Sequence, residues 1–156
     1  MTRLRGRALG GQRRLGRIPL GRYQTSTLIS GLRLEGPGAP WLFEGPMNGE
    51  MFWAWVQQGL GPTLRSGDVV ILDNLATHKI RGVREASETA GARLCYLPPY
   101  SPDFHPIEPM GSQLKQILRS HAPRRDEQLL AAARTAFQAV STADCQGYFF
   151  SAKYAT

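Results

Sequence analysis

Apolar positions along the chain switch repeatedly between strand-like and helix-like spacing. From Tyr23 to Leu34 the chain is rich in β-branched residues and partly alternating, which predicts a strand. Glu35-Gly-Pro-Gly38 predicts a turn and Ala39 to Glu44 a return strand, so the pair forms a meander. After Gly45-Pro46, Asn48 is placed to cap a helix in which Met51, Phe52, Trp55, Val56 and Leu60 recur at helical spacing. Gly61-Pro62 ends it. Asp68-Val-Val-Ile-Leu-Asp73 is a continuous apolar run bounded by acids, as a buried central strand requires. His78 to Ala90 reads as a helix with Ile80, Val83, Ala86 and Ala90 on one side and Gly91 as its stop. Ala92 to Leu97 predicts another short strand.

The segment from Pro98 to Pro109 holds five of the eleven prolines and predicts a rigid, extended loop. Ile107, Met110, Leu114, Ile117 and Leu118 then predict a helix to about Ser120. An alanine-rich helix follows over about Asp126 to Val140, with Tyr148-Phe149-Phe150 packing its end. Residues 1–22 show no period, and five glycines break any helix there. The order strand, strand, helix, strand, helix, strand, helix, helix predicts an α/β fold, with helices around a mixed sheet.

Composition alters this picture at one end. The 156 residues are 42% hydrophobic and 20% charged, which suits a single globular domain. The net charge of +7 comes wholly from a leader holding Arg3, Arg5, Arg7, Arg13, Arg14, Arg17 and Arg22 and no acid. In residues 23–156 twelve basic residues meet twelve acids. Phosphates of a nucleic acid are one partner for such a leader, and a solvated end is the other reading. No apolar run approaches the roughly 18 residues of a membrane span, and the leader lacks the apolar stretch of a secretory signal. Cys95 and Cys145 lie far apart without metal-ligand spacing, which fits reduced thiols of a cytosolic protein. Trp41, Trp53 and Trp55 read as core or interface residues.

Two carboxylates stand out. Asp73 ends the buried strand, where α/β sheets open onto ligand crevices, and Asn74 follows it. A carboxylate there suits magnesium, which takes one or two carboxylates and fills its other positions with water and phosphate oxygens; the other reading is a turn or cap. Glu108 falls in the first turn of a helix, a position the helix dipole favours with or without chemistry. The proline-stiffened loop delivers it from the strand neighbouring the one that ends in Asp73, so both carboxylates can reach one sheet edge.

The stretch Ile-Leu-Asp73-Asn74-Leu-Ala-Thr-His78-Lys, followed by Leu97-Pro-Pro-Tyr-Ser-Pro-Asp-Phe-His-Pro-Ile-Glu108, resembles the catalytic core of DDE transposases from bacterial insertion sequences. It is closest to the branch shared with mariner-type elements, whose second and third carboxylates are separated by 34 residues, as Asp73 and Glu108 are. The resemblance implies a ribonuclease H-like fold and two divalent metals, Mg2+ or Mn2+, held by three carboxylates. They would serve cleavage and transfer of DNA strands, with transposon ends and target DNA as partners in an oligomer. By resemblance Asp73 and Glu108 are the second and third metal ligands. His78, Asn74 and Asp103 are candidates for supporting the site, His78 beside a ligand and Asp103 through a loop-fixing hydrogen bond. The location implied is the cytoplasm, at the nucleoid when DNA is bound.

The departures from the family pattern set further expectations. The family's first aspartate lies on a first strand upstream of the basic leader, and no acid precedes Glu35 here. Residues 1–156 therefore read as a partial catalytic domain, 1–22 being its leader. It lacks the first strand and the N-terminal helix-turn-helix segment, and is inactive alone. An upstream transposase segment, from a split gene, would supply that strand; a remnant of an element is the other reading. Phe104-His105 replace an aliphatic residue and asparagine, and Pro109-Met110-Gly111 follow the glutamate. A non-catalytic nucleic-acid-binding or interaction module on the same fold is the alternative function.

Overall fold

The computed structural model describes residue 10 and residues 24–154. Strands β1 (Ser26–Leu32) and β2 (Pro37–Glu44) form an antiparallel hairpin, with Ile29 opposite Trp41 and Gly31 opposite Gly38. One more residue lies on β2 than on β1 between those pairs, a bulge at which Ala39 takes a positive φ of 49°. Helix α1 (Gly49–Trp55) starts where expected: the Asn48 side chain accepts the Met51 N–H at 2.8 Å. It runs on as a wider π turn over Val56–Leu60 and a 3-10 turn over Gly61–Thr63. Trp55 donates its indole N–H to the Ala39 carbonyl at 2.8 Å and so ties α1 to the hairpin.

Strands β3 (Val69–Leu72) and β4 (Arg93–Tyr96) pair in parallel, joined by a crossover through α2 (Arg81–Thr89). Gly91, at φ +75°, ends α2, a conformation that a side chain would strain. Helices α3 (Ile107–His121), α4 (Asp126–Gln138) and α5 (Thr142–Ser151) complete the order. None of the described helices is long and apolar enough to cross a membrane.

Two main cores result. The first gathers Phe52, Trp55, Val56, Val70, Leu72, Val83 and Leu94 from α1 and its extension, β3, α2 and β4. The second gathers Met110, Leu114, Ala136, Val140 and Cys145 from the three last helices and the connection between α4 and α5. The hairpin lies between them. Successive strand residues point to opposite faces, so Ile29 packs on the first core and Leu28 and Leu32 on the second.

Four expectations change. The single mixed sheet is replaced by two separate two-stranded sheets, because among the described residues no strand lies between β1 and β3. The helix expected from His78 begins at Arg81, since Ile80 is extended (φ −66°, ψ 131°) and Ala76–His78 form their own 3-10 turn. Tyr148-Phe149-Phe150, expected to pack the end of α4, belong to a fifth helix, from which Tyr148 packs on the core that holds Ala136 and Val140. Its start is fixed by a capping box: Ser141 Oγ accepts the Asp144 N–H and the Asp144 carboxylate accepts the Ser141 N–H. The proline-rich loop is also not extended throughout, folding into a 3-10 turn over Pro102–Phe104.

Candidate active site

Parallel pairing brings the C-terminal ends of β3 and β4 to one edge. The Leu97 N–H donates to the Leu72 carbonyl at 2.8 Å, which carries the ladder up to the residue before Asp73. Beyond β4 the chain turns back through hydrogen bonds from the Phe104 N–H to the Ser101 carbonyl and from the His105 N–H to the Pro102 carbonyl. The Glu108 N–H then donates to the His105 carbonyl at 3.1 Å, placing Glu108 second in α3. Pro109 stands in the same first turn, where its missing N–H costs nothing.

Asp73, His78, His105 and Glu108 line one cavity of about 300 Å³. Asp73 Oδ1 accepts the Leu75 N–H at 3.2 Å and lies 2.5 Å from His78 Nδ1. The imidazole contact is close in distance but lacks the direction of a hydrogen bond. The His78 ring packs on Phe52 with centroids 4.2 Å apart, and the Tyr96 hydroxyl donates to the His78 carbonyl at 2.9 Å. His78 is thus fixed by the first core and leans on Asp73. His105 comes from the loop. Burial pushes its imidazole below the ordinary value, while the Asp73 and Glu108 carboxylates pull it up and His78 adds to the lowering. Among the described residues the buried Nδ1 atoms of His78 and His105 have no directed hydrogen-bond partner.

A model of the DDE superfamily endonucleases matches residues 1–130 of the chain. The chain belongs to that family. Its fold is shared with the solved pre-cleavage Mos1 transpososome (TM-score 0.51, 16% identity, 99% of this chain and 52% of that one covered). The Mos1 strand transfer complex matches alike, at TM-score 0.51 and 18% identity over 99% and 52%. The mixed α/β architecture of this member of the DDE superfamily is ribonuclease H-like, and the chain spans about half the length of the solved chains it matches. Comparison with curated proteins gives no match.

A divalent metal of the kind this family implies would find suitable donors in kind. Asp73 and Glu108 offer carboxylate oxygens, enough for one hard cation that keeps most of its water. They do not suffice for a pair of metals, since among the described residues no group of three or more His, Cys, Asp or Glu side chains is placed to hold an ion.

The other candidates fare differently. Asn74, half-buried, follows Asp73 in a bend, and its side chain makes no hydrogen bond among the described residues. Asp103 is exposed on the Pro102–Phe104 turn, outside the cavity. The loop-fixing hydrogen bond expected of it is absent among the described residues, because backbone bonds and the Tyr154 hydroxyl, donating to the Phe104 carbonyl at 3.0 Å, hold the turn instead. Arg3, Arg5, Arg7, Arg13, Arg14, Arg17 and Arg22 lie outside the described residues. Sequence reasoning missed His105 as a site residue; its signal was the departure from the family's asparagine. The tryptophans are structural, Trp55 buried and Trp41 and Trp53 packed against the first core.

Proposed function

We propose that residues 1–156 are part of the catalytic domain of an insertion-sequence transposase. The parent activity is metal-dependent cleavage and transfer of DNA strands. The observation that carries this reading is the meeting of Asp73 and Glu108 in one cavity at the sheet edge, from a β3 end and an α3 start, with 34 residues between the two carboxylates. In this reading Asp73 and Glu108 hold Mg2+ or Mn2+, which when bound polarises a phosphodiester and its attacking oxygen. His78 and the Leu75 N–H fix one oxygen of Asp73. The proline-stiffened loop fixes the approach of Glu108. Arg3 to Arg22 neutralise DNA phosphates, the partners being transposon ends and target DNA in an oligomer at the nucleoid. Two carboxylates alone bind metal weakly, so the isolated chain has little or no nuclease activity.

Mn2+ titration of the full chain by electron paramagnetic resonance tests the site. Asp73→Ala and Glu108→Ala should each weaken binding about tenfold, roughly 1.4 kcal/mol, with circular dichroism unchanged. Equal Mn2+ affinity in both variants and the wild type removes these residues from the metal. The inactivity is tested on supercoiled plasmid with Mg2+ or Mn2+: nicking that Asp73→Ala abolishes overturns it.

A further inference from the structure

Residues 98–104 lead from β4 towards Glu108, yet their backbone is strained. Tyr100 takes a positive φ of 56°, a conformation that a non-glycine residue keeps only where its surroundings hold it. The Tyr100 side chain is fully exposed, so the hold comes from elsewhere. Ser101 Oγ donates to the Pro99 carbonyl at 3.3 Å, the Phe104 N–H to the Ser101 carbonyl at 3.2 Å and the His105 N–H to the Pro102 carbonyl at 2.9 Å. These bonds close within the loop: they shape the turn without placing it. Among the described residues a single hydrogen bond ties residues 98–104 to a distant part of the chain, from the Tyr154 hydroxyl to the Phe104 carbonyl at 3.0 Å.

Tyr154 is itself fixed twice over. Lys153, at φ 66°, turns the chain out of α5, and the Lys153 and Tyr154 N–H groups donate back to the Phe150 and Phe149 carbonyls, both at 3.0 Å. The Tyr154 ring meets Phe149 edge-on, with centroids 5.9 Å apart and planes at 78°, the apolar contact that accompanies such a helix ending. Phe149 in turn lines the cavity shared by Asp73, His105 and Glu108. Burial pushes the Tyr154 hydroxyl above its ordinary value of 10, and Cys95 on β4 adds to the rise, so the group stays a donor at neutral pH. His105 directly follows the held carbonyl, and its own carbonyl accepts the Glu108 N–H, so a shift of the turn passes to the carboxylate.

We propose that Tyr154 is a positioning residue for the metal site, a role that rests on the reading of Asp73 and Glu108 as ligands. From the end of α5 its hydroxyl holds the Pro102–Phe104 turn and so orients the start of α3, which sets where the Glu108 carboxylate stands relative to Asp73. The prolines stiffen the loop; Tyr154 places it.

The test is Mn2+ titration of the full chain carrying Tyr154→Phe, followed by electron paramagnetic resonance, alongside hydrogen exchange. Phenylalanine keeps the ring against Phe149 and removes only the hydroxyl. Mn2+ affinity should fall about threefold or more, as the loss of one hydrogen bond allows, and the Phe104 and His105 amides should exchange about threefold faster or more. Tyr148→Phe is the control, because it removes a hydroxyl of the same helix that donates to Gln113 and not to the loop. It should leave both measurements at wild-type values. Equal losses of Mn2+ affinity in the two variants overturn the assignment, since any loosening of α5 would then suffice, and so does unchanged amide exchange in Tyr154→Phe. Wild-type Mn2+ affinity in Tyr154→Phe, with weakened binding in Asp73→Ala, overturns the role of Tyr154 alone. Wild-type affinity in Asp73→Ala as well overturns the metal site, and this role with it.

Discussion

Arg33 shows how much one side chain decides. Its guanidinium grips both oxygens of Asp68 and also donates to the Thr63 carbonyl at 2.9 Å, while the Arg65 N–H adds a bond to Asp68 at 2.7 Å. These partners, Arg33 first, hold the Asp68 carboxyl at about 2 against an ordinary 3.8. A carboxyl lowered on folding stabilises the folded state fully above its unfolded value and loses that contribution as pH falls through its folded value. Stability from this pair should therefore be complete above pH 3.8 and fade towards pH 2. After solvent screening it is worth on the order of 1 kcal/mol. Urea melts of wild type and Asp68→Asn between pH 2 and 7 measure it; curves offset by the same amount at every pH contradict the assignment. At this scale the sequence was informative for Asp73 and Glu108, which sit at a strand end and a helix start whose patterns are strong. The Asp73–His78 contact was less legible, because it depends on a 3-10 turn that helical periodicity does not announce.

Elements were most legible where local chemistry and tertiary packing agree. Asn48 caps α1, and Gly91 ends α2, as their residue types require. The boundary at Ile80 was obscured because apolar spacing carries through from His78, although the backbone breaks there. At Gly82 a Cβ would lie 2.7 Å from Trp53, so α2 packs directly on that indole, a contact with no trace in local pattern. Helix α5 was missed since its apolar residues form no clear stripe, with Cys145 alone fully buried and Phe150 exposed. The signal present was Ser141 with Asp144 three residues on. That box should matter in proportion: Ser141→Ala is expected to cost about 1 kcal/mol, read as a lowered midpoint in thermal or urea unfolding. An unchanged midpoint would show that α5 is held by packing alone.

For the whole molecule, the charge arithmetic and the sheet arrangement lead to separate expectations. With residues 1–22 removed, the remaining chain has equal numbers of acids and bases. Plasmid-fragment binding by fluorescence anisotropy should then lose most of its salt dependence, because counterion release scales with the phosphates neutralised. A salt slope unaltered by that deletion would place DNA contacts on the domain body instead. The α/β class was legible from element order alone. The division into two sheets was not, since strand patterns say which residues are extended but not which edges meet.

The two cores give that division a mechanical meaning. Asp73 is carried by β3, whose Val70 and Leu72 belong to the first core, and Glu108 by α3, whose Met110 and Leu114 belong to the second. The carboxylates therefore stand on opposite banks of a seam that Arg33 and Asp68 pin at its far end. Their separation is therefore set by the β1–β2 hairpin, which packs on one bank through Ile29 and on the other through Leu28 and Leu32.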